Sequence, residues 1–66
     1  MNYKKRYLDT FIINDGLLNE IDLGATIGLN EDETMKIIAK LLQEHKIEYT
    51  MHKACNYCLM KKRIAK

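Results

Sequence analysis

The chain has no proline, no serine, three glycines and two cysteines among its 66 residues. Each scarcity excludes something. Without proline, no fixed kink interrupts a helix. Without serine there is no serine nucleophile, and no set of histidine, aspartate and a nucleophile can be assembled from the remaining residues. Three separated glycines form no loop that would cradle a phosphate. Two cysteines make no disulfide scaffold, and in a reducing compartment they are thiols. No apolar run approaches the roughly 20 residues that cross a bilayer. The N-terminal stretch MNYKKRYLDTF has basic residues but no apolar signal region or small-residue cleavage site. These absences predict a cytoplasmic protein that is not an enzyme, holds no cofactor and makes no membrane contact.

Hydrophobic residues make up 47% of the chain and charged residues 30%. That balance fits one small helix-rich domain, 1–66, with no room for a second core. A formal net charge of +2 is too small to imply a nucleic-acid partner by itself. The distribution says more. Lys4, Lys5 and Arg6 form one basic cluster, and Lys61, Lys62, Arg63 and Lys66 form another. The acids lie mainly between Asp9 and Glu48.

Tyr3, Tyr7, Leu8, Phe11 and Ile12 recur at helical spacing and predict a first helix over about 3–14. Asn14-Asp15-Gly16 stops it, with Gly16 suited to the left-handed conformation. Asn19 or Asp22 caps a second helix over about 20–27. A glycine inside a helix costs up to about 1 kcal/mol relative to alanine, so Gly24 implies a close approach by another element. Asn30 and Glu33 form a capping-box pattern for a third helix over about 31–44. That helix ends near His45, a residue that tolerates positive φ. The period then changes to two. Ile47, Tyr49 and Met51 alternate with polar residues, and Cys55, Tyr57 and Leu59 share one face. A tight turn through His52-Lys53-Ala54 makes this an antiparallel hairpin over about 47–60. No Asn-Gly or Asp-Gly marks that turn, so its register stays open. Ile64 is a candidate anchor for the basic tail.

Three helices followed by a hairpin give an α+β, mostly helical chain. The stretch DLGATIGLNEDETMKIIAKLLQEHKIEY resembles the core of a winged helix-turn-helix domain. Leu23, Gly24, Gly28, Leu29, Asn30, Ile38, Leu41, Ile47, Glu48 and Tyr49 carry the likeness, which spans about residues 5–60. It implies a three-helix fold with a C-terminal β-hairpin wing, and a DNA-binding transcriptional regulator whose third helix enters the major groove. His45 stands where the pattern commonly has glycine, and Lys46 at the next apolar position. The third helix also begins with Glu31, Asp32 and Glu33, where the pattern often has serine, threonine, arginine or glutamine.

Successive 100° steps place Thr34, Ile37, Ile38 and Leu41 on the core face of the third helix. Glu33, Lys36, Lys40 and Gln43 face solvent. Met35, Ala39 and Leu42 form a third strip. Two readings of Lys36 and Lys40 stand side by side. In one they contact DNA, with Gln43 on the same face, Lys53 at the hairpin tip, and Lys4, Lys5 and Arg6 along the phosphates. In the other they pair with Glu33 and Glu44 as solvated surface charges. The strip with Met35 and Leu42, together with Tyr3 and Tyr57, suggests a homodimer face. It also supports an alternative function, a protein-interaction module that does not bind DNA.

His52, Cys55 and Cys58 lie three residues apart, with His45 not far upstream, which is a weak zinc signal. Residues three apart on a regular strand point to opposite faces, and the segment has no glycine for a knuckle. The expectation is two ordinary thiols, an exposed histidine and no bound metal.

Overall fold

A computed structural model of the chain describes residues 2–60. The second basic cluster, from Lys61 to Lys66, and Ile64 lie outside the described residues. The chain forms α1 (Tyr3–Asn14), α2 (Glu20–Thr26), α3 (Glu31–Gln43), β1 (Ile47–Glu48) and β2 (Cys58–Leu59). This is the α+β, mostly helical order read from the sequence, and the layout is compatible with a winged helix.

An asparagine side chain starts each helix. The Asn2 side chain accepts from Lys5 N at 3.1 Å, and Asn19 accepts from Asp22 N at 2.8 Å. Asn30 accepts from Glu33 N at 2.8 Å, while the Glu33 carboxylate accepts from Asn30 N at 3.0 Å. That closed capping box satisfies two backbone donors that a helix start leaves open. α1 ends one residue earlier in the left-handed region than its glycine suggests. Asp15 already has φ 48°, and Gly16 follows at 81°. The Asn14 side chain then brackets Leu18, donating to its carbonyl at 3.0 Å and accepting from its N–H at 2.9 Å. α3 closes at Gln43, with His45 at φ 61° turning the chain toward β1.

The core gathers Tyr7 and Phe11 from α1, Leu23 and Leu29 from around α2, and Ile37, Ile38 and Leu41 from α3. Ile47 and Cys55 close it from the hairpin side. The Tyr7 hydroxyl is buried, but it donates to the Glu20 carbonyl at 2.9 Å. α2 and α3 meet at Gly24. A Cβ built there would lie 2.0 Å from Thr34 Oγ1 and 3.0 Å from Thr34 Cβ. Thr34 is fully buried, so this is the close approach that a glycine within a helix implies.

The hairpin departs from the alternation in its sequence. Ile47 pairs with Leu59 and Glu48 with Cys58, and Met60 N donates to Lys46 O at 3.1 Å. Beyond Glu48 the ladder stops, because Thr50 N bonds back to Glu48 O at 3.0 Å and turns the chain outward. Tyr49 and Met51, expected on the buried face with Ile47, are therefore 75% and 73% exposed. Opposite them, Cys55 is buried, Tyr57 half-buried and Leu59 exposed. The tip closes with His52 N to Cys55 O at 2.8 Å and Cys55 N to His52 O at 3.0 Å. Lys53 takes the strained position there, with φ 58° and no glycine to relieve it.

Candidate nucleic-acid interface

On α3, Lys36, Lys40 and Gln43 follow one another at spacings of four and three, so they share a face. All three are exposed. The carboxylates expected to pair with the two lysines are engaged elsewhere. Glu33 is held by the Asn30 N–H in the capping box. Glu44 is paired with Lys4 of α1. The Lys4 ammonium holds the Glu44 carboxyl below its ordinary range by hydrogen bonding, against some burial, with Lys46 and Lys40 adding weaker attraction. Among the described residues, neither Lys36 nor Lys40 forms an ion pair. Glu31 and Asp32 remain exposed in the first turn of the same helix, where carboxylates suit the positive end of its dipole.

The other lysines singled out in the sequence are arranged differently. Lys5 pairs with Asp9 at 3.1 Å, one turn along α1. Lys4 reaches across to Glu44, and Arg6 is exposed on the same helix. Lys53 does sit at the hairpin tip, but the tip is folded back on the turn after α1. Ala54 N donates to Gly16 O at 2.9 Å. The Asp15 carboxylate accepts from His52 Nε2 at 3.0 Å and from Lys53 Nζ at 3.4 Å. Those two contacts hold the Asp15 carboxyl below its usual range, His52 contributing most. Gly16 makes the docking possible, since a Cβ there would come within 2.6 Å of the His52 carbonyl oxygen.

One residue important to this arrangement escaped the sequence reading. Glu20 is only 8% exposed, and its carboxylate accepts from Asn56 N at 3.1 Å and Asn56 Nδ2 at 3.0 Å. The Cys55 thiol lies against the same carboxylate at 3.7 Å. Burial works against the charged form of Glu20, yet the Asn56 donors outweigh it and its carboxyl titrates below the ordinary range. Burial pushes the Cys55 thiol up, and the nearby Glu20 charge adds to that. No sequence signal identifies Glu20 as more than a first-turn helix acid, because its partner lies 36 residues away.

The zinc-like spacing does not converge. Cys55 faces Glu20, Cys58 Sγ lies 3.5 Å from Glu48 Oε2, and His52 faces Asp15. Among the described residues, no three histidine, cysteine, aspartate or glutamate side chains cluster as metal ligands. No described helix is long and apolar enough to cross a membrane.

The residues expected at a dimer face differ in exposure. Tyr3 and Met35 are exposed at 44% and 40%, while Leu42 and Tyr57 are half-buried against the core. No protein-family profile, curated protein or solved structure matches the chain.

Proposed function

We propose that this protein binds double-stranded DNA through the exposed face of α3 and acts as a small cytoplasmic transcriptional regulator. One observation carries the reading. Lys36 and Lys40 stand one helical turn apart, exposed, while the carboxylates nearest them in sequence are held by Asn30 and Lys4. Ammonium groups not held in an ion pair are the groups that displace counterions from a phosphate backbone. Gln43 on the same face supplies a side chain able to hydrogen-bond a base edge. Lys53, Lys4 and Lys5 contribute less, since each already has a carboxylate. Arg6 adds its charge near the start of α1.

A second reading, a protein-interaction module on the same layout, is favoured by Glu31 and Asp32. They place negative charge at the helix end that would otherwise attract phosphate. Fluorescence anisotropy with a labelled duplex separates the two. DNA binding predicts an affinity that falls steeply between about 50 and 200 mM salt. No binding at the lowest salt rejects this reading and leaves the interaction module.

A further inference from the structure

The C-terminal end of α1 and the hairpin enclose an open groove of about 410 Å³. Ile12, Met51 and Leu59 line it, and they are 50%, 73% and 38% exposed. Tyr57 also lines it, and the Tyr49 ring packs on Tyr57 with centroids 5.2 Å apart, extending the apolar surface beyond the groove. Asp15 and His52 lie at its rim, and the Asp15 carboxylate takes His52 and the neighbouring Lys53.

We propose that this face binds a second copy of the same chain in a two-fold contact. Three features fit that occupant. Ile12, Tyr49, Met51 and Leu59, exposed at 50%, 75%, 73% and 38%, together present on the order of 500 Å² of residue surface, close to the apolar share of a standard interface of about 800 Å² per partner. A two-fold contact sets each group near its own counterpart. Among the described residues the rim tolerates this, because Asp15 and Lys53 are already paired within each copy. The same face also offers both halves of a reciprocal fit. Met51 is a protruding, unbranched side chain beside a groove lined by Ile12 and Leu59, and two-fold symmetry lets each copy's Met51 enter the other's groove. The face does not depend on DNA binding. Of the residues first expected at a dimer surface, it includes only Tyr57.

Sedimentation equilibrium of the full chain, from about 10 µM to about 1 mM, tests the proposal. The expected result is a mass that rises with concentration from 7.8 kDa toward twice that value. Met51→Glu is expected to raise the dimer Kd by about tenfold or more, with an unchanged circular dichroism spectrum. Met35→Glu, on α3, is expected to leave the Kd as it was. Tyr49→Ser provides the same reading at a second exposed position if Met51→Glu disturbs the spectrum. A chain that stays monomeric throughout overturns the proposal. So does a dimer that Met35→Glu dissociates and Met51→Glu does not.

Discussion

The cap that starts α3 binds a backbone N–H three residues away, whereas the carboxylate that pins the hairpin binds one 36 residues away. α3 is defined by its neighbours in sequence: Asn30 and Glu33 at its start, and an apolar face repeating at the helical period. The hairpin has only two ladder pairs, and it is held instead by Glu20 and Asp15 from the α1–α2 region. The difference extends to the lysines. Among the described residues those of α3 form no ion pair: Glu33 is used in the cap and Glu44 by α1, while Asp32 stays exposed. The hairpin lysine is consumed by the contact that fixes the tip. One element therefore presents charge to a partner, and the other uses its charge to stay in place.

The largest expected effect comes from breaking the contact on which α3 rests. Gly24→Ala drives a Cβ into Thr34 and is expected to destabilise the fold by about 3 kcal/mol, the upper part of the range for overpacking. Urea denaturation measures it. Adding Thr34→Ala should recover part of the loss; if it recovers none, the helix contact lies elsewhere.

Glu20→Ala attacks the hairpin in the same way. It leaves the Asn56 donors without their acceptor and is expected to cost about 2 kcal/mol, with amide exchange rising first over residues 52–58. Its pH dependence follows from the direction of the shift. The carboxyl titrates lower in the folded chain than in the unfolded one. Its contribution is therefore present above the ordinary glutamate value of about 4.3 and is lost as pH falls below that, through the folded value. Glu20→Gln cannot titrate, so the acid side of its stability curve should be flatter than that of the parent.

A smaller effect is expected at the start of α3. Asn30→Ala removes one half of the capping box and should cost about 1 kcal/mol. It should fray the first turn while leaving hairpin amide exchange unchanged. Equal loosening of both regions would erase the distinction drawn between them.

The mildest change sharpens the comparison of the lysines. Asp15→Asn keeps a residue that tolerates positive φ but releases Lys53 and His52 from a carboxylate. Global stability should fall only slightly, because these pairs are exposed and Ala54 N still bonds Gly16 O. If the freed lysine lies near the duplex, the salt slope of DNA binding should steepen by about one phosphate contact. An unchanged slope would show that the hairpin tip points away from the nucleic acid.

What was legible in the sequence divides along the same line. The three helices, the Asn30 cap and the bend at His45 depend on residues a few positions apart, and local chemistry declares them; the close approach at Gly24 was legible because a glycine inside a helix is costly, though its partner Thr34 was not. The alternation over Ile47, Tyr49 and Met51 promised a longer strand. A single backbone bond from Thr50 to Glu48 overrode it and left two large side chains in solvent. Asp15 read only as part of a helix stop and Glu20 carried no signal, because their partners come from a distant segment. Lys36 and Lys40 were visible as candidates. Their freedom was not, since it depends on Lys4 crossing from α1 to take Glu44.

The central claim is that the unpaired lysines of α3 are the part of this molecule that meets DNA. The most direct test is a salt titration of duplex binding by the parent and by a Lys36→Ala/Lys40→Ala variant, followed by fluorescence anisotropy. The account predicts that the variant binds more weakly at every salt concentration and that its logarithmic salt slope is shallower by about two contacts. A variant with the parent's affinity and slope would contradict it.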